Sequence, residues 1–433
     1  MNRKGKIIVT TILIGWISIS LLLLTASRLY AQVEPFSVSS PPTPVGSGAR
    51  AMGIGGAFVA VADDATAASW NPAGLIQLQT PEVSAVYSVE RRVERRYSIF
   101  FPDIDGEEKT NISDLNYLSM AYPFNLARRN MVLSLNYQRL FDFRRDLRVN
   151  WSDGSADEFH SRGTLYTLSP ALAIQAREDL FLGATINIWS DDWTGRSDWK
   201  NTYQHLDPNW TQGVVEEYKN FRGVNANFGL LYRVNPKLTL GLVFKTPFRG
   251  KFDYSYRNSA DPNINAGVAY GKIESIDLPP TYALGISYRM SDAWTLSFDV
   301  TRKDWDELVW RNGRGESFGL FTAFDPNGVP VVSPRIDPTY ALRFGMEYLK
   351  ILEKTVIPIR GGIFYDPIPS IGSPHNEYGF SFGSGLSLGN LIVDFAYQYR
   401  VRYDVPGTER GLGYGAFEDK RQHILLFSTI YHF

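Results

Sequence analysis

Apolar and polar residues alternate along most of this chain, from residue 81 to the C-terminus, in segments of roughly ten residues bounded by turn-forming residues. Residues 391–402 show the pattern clearly. Their apolar and aromatic positions are Leu391, Val393, Phe395, Tyr397, Tyr399 and Val401. The positions between them are Asp394, Ala396, Gln398, Arg400 and Arg402. Because side chains two residues apart on a strand share a face, this period predicts strands with one apolar and one polar face.

The pattern predicts 14 strands, an even number, as single-chain bacterial membrane barrels have. They are placed at residues 82–101, 113–122, 130–142, 163–176, 180–190, 221–234, 237–258, 279–290, 293–308, 337–349, 355–365, 377–388, 391–403 and 420–433. Many of these segments exceed the roughly five or six residues usual for strands in soluble proteins. This length favours an all-β transmembrane barrel over a soluble β-sandwich, whose strands would also alternate.

The predicted connections alternate between short and long, which is typical of an outer-membrane barrel with turns at one end and loops at the other. Short turns are predicted at residues 177–179, 235–236, 290–292 and 389–390. Long loops are predicted at residues 191–220, 259–278 and 311–336. The last strand ends in "HILLFSTIYHF", and its terminal Phe433 resembles the assembly signal of Gram-negative outer-membrane proteins.

The N-terminus has the pattern of a secretory signal peptide. Basic residues precede an apolar run at residues 7–24, and small residues continue to Ala31, after which we expect cleavage. The alternative is a transmembrane helix, because the apolar run approaches the length that spans a bilayer.

The amino-acid composition and the short motifs mainly exclude functional classes for this protein. The net charge of −1 gives no indication of a nucleic-acid partner, and the lack of cysteine rules out disulfides and thiolate chemistry. The five histidines are scattered without metal-ligand spacing, so we predict no metal and no cofactor. Two G-x-S-x-G matches place Ser381 and Ser387 on the polar face of one strand, whereas a nucleophile elbow needs a strand-to-helix turn. We therefore predict that the protein is not an enzyme.

Several charged residues fall on the polar faces of strands near the C-terminus, namely Arg343, Glu347, Arg360, Asp394 and Arg400. A charge that faces lipid at the bilayer midplane costs several kcal/mol, so these side chains should face the barrel lumen. One interpretation is a set of lumenal ion pairs. The other is that an arginine binds the carboxylate of a ligand through its planar guanidinium group.

Residues 45–75 read "VGSGARAMGIGGAFVAVADDATAASWNPAGL", which is too rich in small residues for a strand of the barrel wall. Asp63 or Asp64 is predicted to cap a short helix over residues 65–70, and Pro72 prevents its continuation. The segment is compact and apolar but too small to form a core of its own. The interior of the barrel is the natural place to cover it.

This block resembles the FadL/TodX family of outer-membrane transporters for long-chain fatty acids and other hydrophobic compounds. Similar stretches continue at residues 278–305, 341–349 and 391–400. The resemblance implies a 14-stranded barrel closed by an N-terminal hatch, in which the motif at Asn71, Pro72 and Ala73 lies inside the lumen and hatch movement opens a path. It also implies sideways exit of the ligand at a kinked strand. The predicted third strand has no glycine or proline for such a kink, and the nearest mid-strand proline is Pro170.

We predict an outer-membrane channel for passive uptake of long-chain fatty acids or similar hydrophobic molecules, gated by the hatch. The predicted units are a signal peptide (residues 1–31), a linker and hatch (32–80) and a barrel (81–433). The candidate hatch or gate residues are Trp70, Asn71, Pro72, Ala73 and Gly74. The candidate ligand-binding residues are Phe58, Arg343, Arg360, Phe318 and Phe321. The expected partners are a hydrophobic small molecule, outer-membrane lipid and lipopolysaccharide, around a monomer. The alternative function is a barrel of the same superfamily that acts as a protein-secretion shuttle or scaffold.

Overall fold

The computed structural model describes residues 47–98, 106–207, 211–258, 273–319, 323–324, 330–332, 335–353, 355–370, 373–406 and 416–433. The predicted signal peptide and the candidate residue Phe321 lie outside these ranges. Within them, no helix is long and apolar enough to cross a membrane.

Strands dominate the described residues. In chain order they are β1 (Glu82–Ser98), β2 (Gly106–Leu126), β3 (Arg129–Asp142), β4 (Arg145–Asn150), β5 (Ala156–Gln175), β6 (Leu180–Trp189), β7 (Ser197–Leu206), β8 (Thr211–Asn235), β9 (Leu238–Lys245), β10 (Phe248–Asn258), β11 (Ile273–Leu278), β12 (Thr281–Arg289), β13 (Trp294–Lys303), β14 (Val309–Arg311), β15 (Ser317–Gly319), β16 (Ala323–Phe324), β17 (Pro330–Val332), β18 (Thr339–Ile351), β19 (Val356–Tyr365), β20 (Tyr378–Leu388), β21 (Leu391–Pro406) and β22 (Ala416–His432).

Fourteen of these strands form a closed antiparallel barrel, in the order β1, β2, β3, β5, β6, β8, β9, β12, β13, β18, β19, β20, β21 and β22. The ring closes where β1 pairs with β22, with Glu82 opposite His432 and Ser98 opposite Ala416. The predicted fold class and the predicted number of strands are therefore confirmed. Short turns join the strands at one end of the barrel, the turn end, and long connections join them at the other, the loop end.

The two faces of the wall strands follow the predicted alternation. In β18, Met346 on the outer face is 43% exposed, whereas the next residue, Glu347, faces the lumen and is 7% exposed. In β21, Asp394, Ala396 and Gln398 are buried, as the period of two predicts. The apolar outer face is the surface that contacts lipid, and the polar side chains on the inner face contact other polar groups of the lumen.

The prediction of one strand over residues 237–258 was wrong. The structure has two strands there, and β10 leaves the wall to pair with the loop-end half of β8 and with β11. Pro247 lies between them and has no N–H group with which to continue a ladder of hydrogen bonds. The loops predicted at residues 191–220, 259–278 and 311–336 also contain strands. In the first loop, β7 pairs with the extended halves of β5 and β8. In the other two, β11 pairs with β10 and β14, and β14 pairs with β15.

These outer strands form a second structural layer at the loop end. The loop sheet comprises β4, β7, β10, β11, β14 and β15 with the extended halves of β5 and β8. Its buried aromatic side chains form a cluster with residues from the barrel rim, including Trp189, Trp199, Tyr218, Phe221, Phe252, Trp310 and Phe318. The rings of Trp199 and Tyr218 are stacked with centroids 4.4 Å apart. Such aromatic pairs stabilise the sheet beyond the area they bury.

Asp277 joins the outer surface of the loop sheet. Its carboxylate accepts hydrogen bonds from Arg249 Nε at 2.6 Å and from Arg311 at 2.5 Å. Burial by itself would raise the pKa of Asp277, but these charged hydrogen bonds outweigh it and hold the pKa below its ordinary value of 3.8. The carboxylate therefore stabilises the sheet in its ionised form.

Residues 47–80, which we call the hatch, lie inside the barrel. They form α1 (Ala49–Gly53), α2 (Ala67–Trp70) and a 3-10 helix (Pro72–Gln77). The predicted helix begins two residues later than expected and has no side-chain cap. Instead, Asp64 Oδ1 accepts hydrogen bonds from the backbone N–H and the hydroxyl of Thr66, at 2.8 and 2.6 Å, in a turn that precedes the helix.

Candidate functional site

Glycines in the wall provide the space in which the hatch sits. The hatch-facing glycines on six wall strands are Gly183, Gly229, Gly241, Gly285, Gly345 and Gly362. A Cβ atom at any of these positions would lie 2.1–2.8 Å from an atom of the hatch, closer than real Cβ contacts come. Only glycine therefore lets the hatch backbone approach these strands, and the hatch is fitted closely to the wall.

Asn71 holds together the hatch segment that the sequence singled out. Its side chain is fully buried, and its Nδ2 donates to the carbonyl oxygens of Val59, at 2.8 Å, and Leu230 of β8, at 3.1 Å. Its Oδ1 accepts from the backbone N–H of Ala73 at 3.2 Å. Asn71 therefore caps the 3-10 helix, joins two hatch segments and ties both to the wall.

Pro72 and Gly74 both suit the backbone geometry of the hatch around Asn71. Pro72 is the first residue of the 3-10 helix, where a missing N–H group costs nothing. Gly74 lies against the backbone of Ala62, since a Cβ at this position would be 1.8 Å from the Ala62 oxygen. The small residues of the motif thus allow two parts of the hatch to pack backbone against backbone.

Trp70 and Phe58 form an aromatic contact within the hatch. Their rings meet edge to face, with centroids 6.1 Å apart, and Trp70 Nε1 donates to the Ser47 oxygen at 2.7 Å. Phe58 is fully buried in the core of the hatch, whereas Trp70 also borders the cavity described below. Phe58 remains a predicted ligand contact, and its observed neighbours are groups of the protein.

Ion pairs connect the hatch to the part of the wall formed by β18, β19 and β21. The guanidinium of Arg50 donates to Asp63 at 2.5 Å and to both oxygens of Glu347 at 2.9 and 3.0 Å. Arg360 donates to the same Glu347, at 2.6 Å, and to Asp394, at 2.5 Å. The network therefore crosses from α1 through β18 and β19 to β21.

Arg343 is also engaged by the protein. It donates to the carbonyl oxygen of Gly55 at 3.2 Å and to Asp366 at 2.9 Å. The lumenal ion pairs that the sequence suggested are thus present, with the carboxylates supplied by the chain itself. Arg343 borders the cavity, so its predicted role toward a ligand remains a prediction.

A cavity lies between the hatch and the loop end. It contains about 1450 Å³ of empty space, its open mouth included. Its hatch side is made by Met52, Gly56, Val59 and Trp70. Its cationic lining residues are Arg92, Lys245, Lys303, Arg343, Arg400, Arg402 and Lys420. Its acidic lining residues are Glu90, Asp142, Asp299, Asp366 and Glu377, two fewer than the cations. The cavity is large enough for a small amphiphile.

Two of the candidate ligand-binding residues, Phe318 and Phe321, come from the loop predicted at residues 311–336. Phe318 is 7% exposed and packs against Trp310, with ring centroids 6.4 Å apart, in the cluster of the loop sheet. Phe321 lies outside the described residues. Trp305, Lys245 and Lys303, which do border the cavity, were not among the predicted site residues. Lys303 ends a strand whose side chains alternate, but an alternating pattern cannot show which charges meet in the lumen.

The wall has irregular pairing near the third strand. The register between β3 and β5 shifts at Leu140, between Arg139 and Phe141. A bulge of this kind needs neither glycine nor proline, so no residue of the predicted third strand indicated it. Pro170 of β5 interrupts the ladder with β6, in which Leu168 pairs with Ile188 and the next pair is Ala171 with Thr185.

Fold and site together define a class of protein: a closed 14-stranded membrane barrel whose lumen is filled by its own N-terminal segment beneath a partly charged cavity. The sequence agrees with this class. Residues 42–312 match the family described as outer membrane protein transport protein (OMPP1/FadL/TodX). The match covers more than half of the chain, so the chain belongs to this family of transport channels. This membership is consistent with the prediction that the protein is not an enzyme.

Individual relatives are distant. A long-chain fatty acid transport protein of Escherichia coli O6:H1 is 23% identical over 162 residues, which is 34% of this chain and 34% of that protein. The match thus spans about a third of that relative. The crystal structure of a Pseudomonas aeruginosa FadL homologue is similar at a TM-score of 0.57 and 15% identity, over 89% of this chain and 98% of that one.

A second solved structure, the Pseudomonas putida toluene transporter TodX, is similar at a TM-score of 0.56 and 13% identity, over 90% of this chain and 99% of that one. At these identities the two structures support the shared fold alone. Homologues in this family are Gram-negative outer-membrane β-barrels.

Proposed function

We propose that this protein is a passive channel for hydrophobic small molecules, gated by the hatch. The observation that carries the proposal is the cavity that rests directly on the hatch. A molecule that enters from the loop end would meet Val59 and Trp70 of the hatch as the obstacle to further movement. Diffusion down a concentration gradient needs no cofactor, because binding of apolar surface itself draws the molecule from water.

The names of the relatives support this class of substrate. The curated relative is described as a long-chain fatty acid transport protein, and one structural relative as a toluene transporter. We extend to this chain only what these substrates share, which is a hydrophobic body small enough for the cavity.

We also propose the remaining predicted features. Residues 1–31 act as a cleaved signal peptide, the chain is delivered to the outer membrane as a monomer, and its outer apolar face contacts lipid and lipopolysaccharide. Trp70, Asn71, Pro72, Ala73 and Gly74 form the moving part of the gate.

Transport is tested by uptake. A bacterial host that lacks its own channels for hydrophobic compounds is given the wild-type chain, and accumulation of labelled octanoate, decanoate and toluene is measured against host cells with an empty vector. We expect faster uptake of at least one of these compounds. No increase for any compound, combined with release of a protein that depends on the barrel, would replace this proposal with the secretion alternative.

Gating is tested by a reversible cross-link, which the cysteine-free chain permits. Gly53 of α1 and Gly383 of β20 approach so closely that a Cβ on Gly53 would lie 3.2 Å from the Gly383 Cα. The double variant Gly53→Cys, Gly383→Cys should lose uptake when oxidised and regain it when reduced, and the two single variants serve as controls. Equal uptake in both redox states would refute gating by this part of the hatch while leaving transport intact.

A further inference from the structure

The apolar band on the outside of the barrel ends at one level on the two strands that close the ring. On β1 the exposed outer side chains Tyr87 and Val89 are followed toward the loop end by Arg91, which is also exposed. Val89 lies opposite Leu425 of β22, and Arg91 lies opposite His423. The outer surface therefore changes from apolar to polar at the same level on both strands, where the hydrocarbon region of a bilayer would end.

Aromatic side chains continue this level beyond β22. Tyr399 of β21 pairs with His423, and their rings lie 5.0 Å apart. The Phe380 ring of β20 is 5.6 Å from the Tyr399 ring. Girdles of aromatic residues mark the headgroup levels of membrane barrels, and the long loops of such barrels face the outside. This level therefore corresponds to the headgroups of the outer leaflet.

Three cations lie at or just beyond this level, on three adjacent strands. Val93 of β1 pairs with Arg421 of β22 on one side and with Lys109 of β2 on the other. Adjacent strands are about 4.8 Å apart, so the backbones of Arg421 and Lys109 are separated by roughly 10 Å. Arg91 precedes Val93 by two residues on the same face, at a distance of roughly 7 Å. Arg91, Lys109 and Arg421, which we call the outer cation cluster, thus surround Val93.

The chain supplies this cluster with less negative charge than positive charge. Glu107 lies between two of the cations, with Oε1 3.1 Å from Lys109 Nζ and Oε2 3.2 Å from the Arg421 guanidinium. Among the residues that the structure describes, none of the ion pairs includes Arg91. Three positive charges therefore face one carboxylate at the level of the lipid headgroups.

An arginine at the same level elsewhere on the barrel is compensated by its own strand end. Arg302 of β13 follows the outward Val300 and lies 5.8 Å from the ring of the exposed Tyr340. Its Nε donates to Asp304 at 2.8 Å. Because a guanidinium already bound to a carboxylate gains less from a second anion, Arg302 is a weaker site for an anionic headgroup than the outer cation cluster.

Resting on the proposed outer-membrane location, we propose that the outer cation cluster is a binding site for a phosphorylated glycolipid of the outer leaflet. A lipid phosphate binds between Arg91 and Arg421, whose planar guanidinium groups match its oxygens, and Lys109 adds a third positive charge. The sugar rings lie beside the flat rings of Tyr399 and His423. The acyl chains follow the apolar outer face below Arg91, where burial of apolar surface stabilises them. One lipid thereby contacts the first and last strands of the barrel together.

The test uses the full barrel in detergent micelles and counts bound lipid by native mass spectrometry. The three probes are bisphosphorylated lipid A, the same lipid after removal of both phosphates, and phosphatidylglycerol. The wild type should bind lipid A about tenfold or more tightly than either of the other probes. The double variant Arg91→Gln, Arg421→Gln should lose about tenfold or more in affinity for lipid A, with its affinity for the dephosphorylated lipid unchanged. Arg302→Gln is the matched control, an exposed arginine at the same level.

Three results would overturn the proposal. They are wild-type affinity for lipid A in the double variant, an equal loss of affinity in Arg302→Gln, and wild-type binding of phosphatidylglycerol as tight as that of lipid A. The single variant Arg91→Gln removes no ion pair of the described residues and should lose at least about threefold in affinity, which keeps the test decisive if the double variant fails to fold. Binding in micelles does not depend on uptake. Loss of the site with normal uptake of octanoate or toluene therefore leaves transport standing, and the reverse result leaves the lipid site standing.

Discussion

Replacing Asn71 by alanine should loosen the hatch without unfolding the barrel. The substitution removes the amide that donates to the carbonyl oxygens of Val59 and Leu230 and the oxygen that accepts from Ala73. Asn71 is fully buried, so the Val59 carbonyl and the Ala73 N–H have no water to replace the lost partner.

The magnitude follows from these three bonds. A buried polar group left without its partner costs about 1–3 kcal/mol, and loss of a helix cap costs about 1 kcal/mol. The Leu230 bond is only partly buried, so we discount it and expect the hatch to lose about 2–4 kcal/mol of local stability. Since 1.4 kcal/mol corresponds to about a tenfold change in an equilibrium, opening of the hatch should increase by roughly 30- to 900-fold.

Hydrogen-exchange mass spectrometry measures this opening directly. Peptides covering residues 58–78 should exchange faster in Asn71→Ala by the factor given above, while peptides from β18 to β22 should exchange at the wild-type rate. Asn71→Asp keeps the acceptor for Ala73 but turns oxygen toward two carbonyl groups, so it should open at least as readily. Asn390→Ala, at an exposed turn, is the control. Exchange of the hatch within twofold of the wild type in Asn71→Ala would refute the reasoning.

Three further predictions concern neighbouring features of the structure. Gly362→Ala should displace the hatch, because its Cβ would lie 2.3 Å from a backbone nitrogen of the hatch. Gly361→Ala should be tolerated, because its nearest contact is a flexible methionine side chain at 3.4 Å. The rate of hydrogen exchange in the hatch distinguishes the two variants. Arg50→Met should destabilise the hatch by about 1–2 kcal/mol, since the ion pairs it removes are partly exposed, with Arg50→Lys intermediate by the same measurement. Asp277→Asn should lower the thermal stability of the loop sheet at neutral pH. Folding lowers the pKa of Asp277, so its contribution to stability is complete above the ordinary value of 3.8 and is lost as the pH falls through the folded value. The difference in melting temperature between Asp277→Asn and the parent protein should therefore disappear in acid. Melting is followed by the fluorescence of Trp310, in a background in which the other tryptophans are replaced. A difference that persists at low pH would contradict this assignment.

Local patterns carried the prediction of the barrel. The period of two in β21 follows from the pleat of a single strand, and the turn-forming residues Gly389 and Asn390 mark its beginning without reference to the rest of the chain. Strand β10 was missed as a separate element because the alternation continues on both sides of Pro247. Whether such a strand stays in the wall depends on which neighbour it pairs with, and no local pattern contains that information.

In the candidate site, too, local sequence indicated some features and only long-range contacts decided the others. Composition indicated that residues 45–75 needed cover, and the resemblance singled out Asn71, Pro72 and Ala73. The partners of Asn71 include a carbonyl group 159 residues away, and Arg50 binds a glutamate 297 residues away. The side chain of Lys245 looks like any other lysine in the sequence. Only the register of the strands and the placement of the hatch show that, among the described residues, its ammonium group has a backbone carbonyl oxygen and no carboxylate as a partner.

The sequence by itself determined the alternating strands, their number and the presence of a compact segment unfit for the wall, since these depend on side-chain periodicity and composition over short distances. Only the tertiary structure decided which glycines face the hatch, which charges compensate one another and which lysine at the cavity has a backbone carbonyl oxygen of the hatch as its partner. Those properties arise where strands distant in sequence are brought to the same level of a closed ring, and contact distances of a few ångströms decide whether a charge is paired or a backbone fits.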